Sequence, residues 1–424
     1  MTVSADLVRP DKVYPTDLAA SLPGPDWLRA VRVDAAARAA DTPLPSFEAE
    51  EWRYSPIADF SPERFAPAAE RPSGSRPGID LGATAATIVT VDGFVVELEV
   101  RAPRLQVASA ASLDEAVGFA GAIDVFGDAN AAFGPDPIVV RVPAGVDIAE
   151  PIVITHHVAG DGIAVFPRLR VEVGADASVR IVEVFRSDDV SSLVVPVTEI
   201  AAGPASRVGY QNVQELGPRV WQLGTLAADV EGQATFTGGI VAIGGGYARL
   251  RTDCRLNGRG ATGDLFAAYY GDGDQTLDFR TFQEHRARDT TSNLVFKGVL
   301  DDHSTSIYTG LIRVAPVAAG TNAFQTNRNI KLSEHAWAES VPNLEIENND
   351  VRCSHASTVS PVDPEQRFYL ESRGIPTFVA ERLMVEGFFR EVIGHLPVPE
   401  LMEHLEAEIA GKLDARTTTG GDDG

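Results

Sequence analysis

Evenly spaced turn residues within a strand-rich stretch constrain the fold of this chain most strongly. Gly174, Gly203, Gly232 and Gly260 are separated by 29, 29 and 28 residues. Between them lie short runs rich in valine, isoleucine and threonine, which have the length of strands. A unit of about 30 residues cannot bury its apolar face alone, whereas stacked units bury a continuous core. The spacing therefore predicts a β-solenoid. A β-sandwich would also explain short strands, but it would not require this period.

Strand-forming residues extend from about residue 79 to residue 352, and helix signals dominate on both sides of that zone. On the N-terminal side, a helix is predicted from Pro25 to Ala40. Four regions follow from these patterns. They are an N-terminal helical region (1–78), a β-helix core (79–355), a C-terminal helical domain (356–416) and a disordered tail (417–424).

Capping signals place further helices. Ser112 and the residues after it resemble a capping box, which predicts a short helix within 111–126. Asp363 before Pro364 predicts the start of a C-terminal helix, because an aspartate at the N-cap and a proline at the first helical position are both favoured there. Gly374 is the expected left-handed C-cap of this helix.

Two more helices complete the C-terminal region. One is predicted over 377–395, where apolar residues recur and Pro397 follows. The last begins at residue 400 and carries apolar side chains at strict i, i+4 spacing, which predicts one buried stripe. The residues of this stripe are Leu401, Leu405, Ile409 and Leu413.

Composition and charge exclude several classes of function. Asp and Glu total 60 against 36 Lys and Arg, a net charge of −24, which argues against a general nucleic-acid binder. We find no run of 18 apolar residues for a membrane span, and residues 1–7 lack the basic and apolar parts of a secretory signal. Only two cysteines occur, as is typical of a reducing compartment. Together these features predict a cytoplasmic protein.

Common catalytic motifs are missing from the sequence. It contains no P-loop, no His-Glu-x-x-His and no Gly-x-Ser-x-Gly. Residues 258–263 match the bare dinucleotide-binding string, but they lead into an apparent strand. Because a helix N-terminus is needed to hold a pyrophosphate, a plain turn is the better interpretation.

The stretch 343–355 is the most informative candidate site. Leu344 and Ile346 alternate with glutamates, which predicts a strand with one buried face. After a turn, Cys353 and His355 lie two residues apart on an extended segment, so their side chains leave the same face. A thiolate beside an imidazole suits a soft or borderline metal, or a site that handles sulfur. Two ligands are too few for a closed site, so others must come from the fold, another chain or solvent. On the pattern alone, a buried structural role is the simpler interpretation.

From His285 to Phe388 the sequence resembles the SufB/SufD family of iron–sulfur cluster assembly proteins. The Cys-Ser-His form at 353–355 is typical of its SufD branch. That family usually has glycines where this chain has Ala356 and Ser360, so we expect the turn after His355 to tolerate positive φ less well. The matching segments are His285 with Ser292, 296–300, 308–314, 321–329, 342–346, 350–355 and 368–375. Residues 25–29 and 50–54 also look similar, and the resemblance is weak over 79–250.

The resemblance implies a fold and a set of partners. The fold is a right-handed parallel β-helix flanked by helical domains, and the function is that of a non-catalytic scaffold. Such chains pair with a SufB subunit through the β-helix and bind the SufC ATPase through the C-terminal helices, where the candidate residues are Tyr369, Arg373, Gly374 and Phe388. A homodimer in isolation is also plausible, because an unpaired edge invites self-pairing.

The resemblance also implies the role of the Cys-x-His strand. His355, with Cys353 beside it, would ligate or position iron or a nascent iron–sulfur cluster together with a cysteine of SufB. Whether a reduced flavin binds the complex stays open. Two alternatives from other classes are a β-helix enzyme that acts on polysaccharide and a metal-free homodimeric interaction protein.

Cys254 and five further histidines are predicted to be structural or solvated. We expect Cys254 to pack inside a coil and His285 to make structural hydrogen bonds. His156 and His157 should face opposite sides of a strand and so form no paired site. His303 and His335 fall in turns, where solvent exposure is the simplest interpretation.

Overall fold

Strands dominate the computed structural model, which describes residues 14–72, 74 and 76–419. Residues 1–7, discussed above as unlike a secretory signal, lie outside the described residues. The α-helices are α1 (Thr16–Ser21), α2 (Asp26–Asp41), α3 (Val125–Phe133), α4 (Pro364–Ser372), α5 (Thr377–Ile393) and α6 (Met402–Thr419). The strands are β1 (Ala66–Pro67), β2 (Ala86–Val91), β3 (Phe94–Val100), β4 (Gln106–Ser109), β5 (Ile138–Val142), β6 (Ile152–Val158), β7 (Ile163–Val165), β8 (Arg168–Val173), β9 (Ser178–Ser187), β10 (Leu193–Val194), β11 (Val197–Ala202), β12 (Arg207–Glu215), β13 (Trp221–Val230), β14 (Thr235–Ala242), β15 (Tyr247–Leu256), β16 (Thr262–Gly271), β17 (Thr276–His285), β18 (Thr291–Leu300), β19 (Thr305–Val314), β20 (Thr321–Lys331), β21 (Trp337–Ile346) and β22 (Val351–Pro361).

The strands stack into a parallel β-solenoid, which confirms the predicted fold. Each coil gives one strand to each of two sheets, which we call the first and second sheet. Along the described chain the first sheet follows the order β21-β19-β17-β15-β13-β11-β8-β5-β4, and the second follows β22-β20-β18-β16-β14-β12-β9-β6-β2-β3. At the N-terminal end, β4 and β3 pair antiparallel with β5 and β2. At the other end, β21 and β22 each have one neighbour in the described chain and therefore present a free edge.

The glycines that mark the period lie where the chain passes from the first sheet to the second. Two of them allow close stacking of successive turns. A Cβ added at Gly174 would lie 2.4 Å from the amide nitrogen of Ala144, and one at Gly203 would lie 2.6 Å from the carbonyl oxygen of Val173. Gly232 is less crowded, because the nearest atom to an added Cβ would be 3.5 Å away, and Gly260 instead adopts a left-handed φ of 71°. The repeated turn is therefore shared by all four coils, whereas the reason for the glycine differs from coil to coil.

The interior of the solenoid is mainly apolar but contains polar networks. A continuous cluster of buried valine, isoleucine, leucine and aromatic side chains fills most of it. One network surrounds the buried Glu183, and another lies nearer the C-terminal end. There the Tyr269 hydroxyl donates to Asn329 Oδ1 at 2.7 Å and accepts from Asn327 Nδ2 at 3.0 Å. Buried polar groups are retained where they find partners, and these three form a closed network.

Helices cover the outer faces of the two sheets. On the first sheet, the guanidinium carbon of Arg249 lies 3.9 Å from the ring centroid of Trp52, and Arg249 donates to the backbone oxygen of Glu51 at 2.9 Å. Helices α5 and α6 pack on the second sheet in a separate apolar cluster. The predicted stripe of α6 is buried there, as expected for an i, i+4 pattern. Its members are Leu401, Leu405, Ile409 and Leu413.

Two sequence predictions in the first half of the chain have different outcomes. Helix α2 matches the prediction for 25–40 closely. The helix predicted within 111–126 is wrong: a single 3-10 turn occupies Ala110–Ser112, and α3 begins only at Val125. The Ser112 hydroxyl donates to the carbonyl oxygen of Ser109 and so forms no capping box. Asp124 caps α3 instead, because its carboxylate accepts from the amides of Phe126 and Gly127.

Three expectations near the C-terminus need correction. No turn follows His355, because β22 continues through Ala356 and Ser360 to Pro361 and crosses the boundary drawn at 355. Ile346 is 42% exposed rather than buried, since its strand belongs to the last coil. Residues 417–419, assigned to a disordered tail, continue α6, and residues 420–424 lie outside the described residues. None of the described helices is long and apolar enough to cross a bilayer.

Candidate functional site

Cys353 and His355 lie on β22, the last strand of the second sheet. In register they face Ala323 and Gln325 of β20. Ala323 and Gln325 are buried, and they alternate with the exposed Phe324. Because side chains alternate across a strand, Cys353 and His355 share the inner face of the solenoid, as predicted from their spacing. They therefore lie at the open end of the solenoid interior.

The environments of the two side chains differ. Cys353 is half-buried and packs against an apolar cluster that includes Ile312 and Ala323, whereas His355 is exposed. Burial raises the pKa of the Cys353 thiol, although a hydrogen bond from the Ala323 backbone opposes the shift. The thiol is consequently protonated near neutral pH, and a cation placed beside it would favour the thiolate needed for ligation or sulfur chemistry.

A buried amide lies next to this pair and was missed by sequence reasoning. Gln325 is 1% exposed, and neither its Nε2 nor its Oε1 has a hydrogen-bond partner. The hydroxyl of Ser340, in β21 of the first sheet, is likewise buried and unpaired. Polar residues alternate through 321–329, but the pattern indicates an inner face only once the solenoid is known. The open end of the interior thus holds polar groups available to a ligand, a water molecule or a partner side chain.

The described residues do not complete a metal site around Cys353 and His355. Among them, no group of three or more His, Cys, Asp or Glu side chains is arranged to hold a metal ion. Both cysteines are free thiols. The pair can supply two ligands, one sulfur and one nitrogen, so additional ligands must come from outside this part of the chain.

The structure places the other Cys and His candidates away from this end. Cys254 is fully buried inside a coil, as predicted, and burial raises its pKa to about 12. His285 is buried and bonds the hydroxyls of Thr290 and Ser292 at 2.8 and 2.9 Å, which confirms its structural hydrogen bonding. His156 bonds Glu183 at 2.9 Å inside the solenoid, whereas His157 bonds Asp188 at 3.0 Å, so the two rings face opposite sides as expected.

The exposed histidines form a contact that the sequence did not reveal. His303 and His335 are exposed in turns, as predicted, but their rings stack with centroids 5.0 Å apart. They lie in turns that lead to β19 and β21, on successive coils of the first sheet. The solenoid period brings them together although they are 32 residues apart in the sequence.

The four candidates for partner binding occupy two different environments. The guanidinium carbon of Arg373 lies 5.0 Å from the ring centroid of Tyr369, which is 57% exposed. Gly374 follows with φ of 85°, as predicted for a left-handed C-cap. Phe388 is half-buried instead, with Lys297 Nζ 4.5 Å from its ring centroid. Lys297 also donates to the backbone oxygen of Phe388 at 3.0 Å, so this residue helps to fix α5 on the solenoid.

Further apolar residues extend the exposed surface around Tyr369. Phe368 is 71% exposed, Phe378 is 59% exposed and Leu383 is 47% exposed. The apolar residues of α5 fall into two groups: Val385 and Val392 are buried, whereas Phe378 and Leu383 are exposed. Exposed apolar patches of this kind mark surfaces for protein contact. We call Phe368, Tyr369, Phe378 and Leu383 the helical patch.

Comparisons with known proteins agree with this architecture. The family model described as "SUF system FeS cluster assembly, SufBD core domain" matches residues 156–388. An iron–sulfur cluster assembly SufBD family protein of Mycobacterium tuberculosis is 32% identical over 288 residues, covering 66% of this chain and 72% of the relative. The iron–sulfur cluster assembly protein SufD of Escherichia coli is 26% identical over 385 residues, covering 88% and 90%. SufD of Bacillus subtilis is 28% identical over 275 residues, covering 64% and 63%. The resemblance seen in the sequence is thereby confirmed, and the chain belongs to the SufB/SufD family of iron–sulfur cluster assembly proteins, with SufD among its relatives.

Proposed function

We propose that this chain is the SufD-type scaffold subunit of a SUF complex and presents His355 and Cys353 to iron or to a nascent iron–sulfur cluster. The observation that carries the proposal is the position of this pair on the inner face of the last, uncovered strand. Cys353 and His355 offer one sulfur and one nitrogen ligand there, and a four-coordinate site needs two more. A partner that covers the open end with its own cysteine would supply the missing ligands.

Pairing with a SufB-like subunit takes place at the free edges of β21 and β22 in this proposal. Unpaired backbone groups at a sheet edge form hydrogen bonds readily with another strand. The iron and the cluster are cargo, and they reach the pair only when the second chain is in place. Cys353 has a raised pKa, so ligation by its sulfur requires the positive charge of the arriving metal.

A SufC-like ATPase binds the helical patch in the same proposal. Three aromatic side chains and a leucine are exposed there on two consecutive helices, and Arg373 lies over Tyr369 at the rim. Aromatic and arginine side chains are the residues that contribute most to protein interfaces. The helices from Pro364 onward would then be the docking domain, the solenoid that ends at Pro361 the scaffold, and the described part of the N-terminal region a cover for the first sheet.

The proposed role is that of a scaffold without catalysis of its own, in the cytoplasm. ATP hydrolysis belongs to the SufC-like partner, and the contribution of this chain is to position cargo. Self-pairing in the absence of SufB is a further part of the proposal. The proposal does not include a binding site for a reduced flavin.

The test is cluster assembly by the complex reconstituted anaerobically with the partner subunits of the source organism. His355→Ala should abolish most acid-labile sulfide and iron in the complex, and Cys353→Ala should lower both. The matched control is His303→Ala, an exposed histidine in a turn. Full assembly by His355→Ala, with the complex intact, would show that the residue has no such role.

Each of the two alternative functions predicts a different experimental result. Activity of the isolated chain on acidic glycans would support a polysaccharide-active enzyme. A stable complex that never retains iron or sulfide would support an interaction protein without a metal role.

A further inference from the structure

A row of alternating charges runs along the outer face of the first sheet, and we call it the charge ladder. It occupies a single register position on successive coils, so each member lies directly opposite the next. Parallel pairing sets the order without a break from β5 to β21. The rungs are Arg141, Glu172, Ala201, Asp229, Arg255, Glu284, Arg313 and Glu345. Apart from Ala201, neighbouring rungs have opposite sign.

Direct ion pairs join several rungs. Arg141 Nε lies 2.9 Å from Glu172 Oε2, Arg255 Nε lies 2.8 Å from Asp229 Oδ1, and Arg313 Nε lies 3.0 Å from Glu345 Oε2. Exposed pairs of this kind add little to folding stability. Opposite charges across strands do, however, favour one pairing over another, and like charges directly opposite disfavour it. The ladder therefore contributes more to which strands pair than to the stability of the fold.

The final rung stands on a free edge. The side chain of Glu345 is 51% exposed, and no strand of the described chain lies beyond β21. By alternation, Glu339, Glu345 and Glu347 occupy the same outer face. Residues 337–347 contain no lysine, arginine or histidine. The edge thus presents only negative side-chain charge to an incoming strand.

Backbone pairing at this edge is interrupted in the middle. The amide of Trp337 donates to the carbonyl oxygen of Ser304, the residue before β19, and the amide of Glu347 donates to that of Val314, the last residue of β19. Alternate residues of a parallel strand direct their backbone groups to opposite neighbours, so the even-numbered residues face the free edge. Pro342 is one of these and has no amide hydrogen. Because fewer backbone hydrogen bonds can form at this edge, side-chain charge contributes more to which partner strand binds.

We infer that the free edge of β21 selects a partner strand with arginine or lysine opposite Glu345, and so discriminates against a second copy of its own acidic edge. The inference rests on the proposed pairing at this end of the solenoid and adds the chemistry of the partner. Two identical β21 edges would bring like charges together, whereas a basic strand would continue the alternation of the ladder. Discrimination of this kind needs both the favourable and the repulsive pairing.

A charge-reversed copy of the full chain can stand in for the basic partner. We would mix the natural chain with Glu339→Arg/Glu345→Arg and measure mixed and self pairs by native mass spectrometry. Mixed pairs should exceed natural self-pairs by about tenfold at low salt, and the preference should shrink near ~0.5 M salt, where exposed charges are screened. The matched control reverses Glu97 and Glu99, two exposed residues of β3 at the opposite end.

A neutral variant keeps the test valid if the reversed copy does not fold. Glu339→Gln/Glu345→Gln should self-associate more strongly than the natural chain, whose own self-association should strengthen as salt rises. Self-association that weakens with salt, or an equal preference with the β3 control, would overturn the inference.

If a SufB-like partner still binds at this end regardless of these charges, the ladder has no selective role and the proposed function stands. If no partner binds at this end, the proposed function fails and the inference fails with it.

Discussion

Gln325 of β20 lies directly opposite His355 of β22, on the inner face of the last coil. The glutamine is buried and both polar atoms of its amide are unpaired, whereas the imidazole is exposed. A buried amide without partners is costly to the isolated chain. Because it lies opposite His355, we expect this amide to serve the candidate site rather than the fold.

Gln325→Met should therefore separate stability from function. Methionine fills a similar volume without a polar group, so we expect the free energy of unfolding to change by less than about 1 kcal/mol or to rise. Cluster assembly by the reconstituted complex should fall. Urea unfolding and acid-labile sulfide are the two measurements. A loss of more than about 2 kcal/mol would mean that the amide is satisfied in the native chain.

Close stacking at some turns predicts that glycine-to-alanine substitutions will differ in their effect on unfolding free energy. Gly203→Ala places a Cβ 2.6 Å from the backbone oxygen of Val173, so we expect a loss of about 1–3 kcal/mol in unfolding free energy. The matched control is Gly232→Ala, whose nearest contact would be 3.5 Å away. The control should be neutral or slightly stabilising. Equal thermal midpoints for the two variants would contradict this account of the period.

Burial of His285 predicts an acid-sensitive core. Desolvation lowers the pKa of the imidazole from 6.5 to about 4, so the unfolded chain binds a proton in that interval and the folded chain does not. Stability is thus full above about pH 6.5 and declines as pH falls toward 4, by up to about 3 kcal/mol. His285→Gln should flatten this part of the curve of unfolding midpoint against pH. An unchanged slope in the variant would assign the acid sensitivity to other groups.

The two thiols should differ in reactivity. Cys254 is fully buried and its pKa is raised to about 12. Cys353 is only half-buried, so an alkylating reagent reaches its thiol more easily. Alkylation of the native chain should label Cys353 alone, and faster as pH rises, because the thiolate is the nucleophile. Cys254 should react only after unfolding. Mass spectrometry of digested protein distinguishes the sites, and Cys353→Ser should leave the native chain unlabelled.

The fold was predictable because its signals are local and repeated. The spacing of Gly174, Gly203 and Gly232 indicated stacked coils, and the i, i+4 apolar residues of α6 indicated a buried stripe. The failures have physical causes as well. Ser112 satisfies a carbonyl of its own turn, so a good capping pattern produced no helix. The period alone could not show that Gly174 and Gly203 serve contact between coils whereas Gly260 serves a positive φ.

The site was predictable only in part. The alternation rule placed Cys353 and His355 on one face, and the structure shows that this face is the inner one. Gln325 and the stacking of His303 on His335 depend on contacts between coils about 30 residues apart, which a linear pattern does not display. Ile346 was expected to be buried because an alternating strand normally has a neighbour on each side. Here the solenoid ends instead.

The two ends of the solenoid are unlike, and this limits how large an assembly can grow. At the first end, the terminal strands β3 and β4 run antiparallel to their neighbours. At the last, β21 and β22 run parallel to theirs. When two solenoids join through their last ends, the edges left over at the first ends differ in strand direction and in side chains. Association through the last end therefore closes as a pair, whereas a solenoid with the same edge at both ends could polymerise head to tail into a filament.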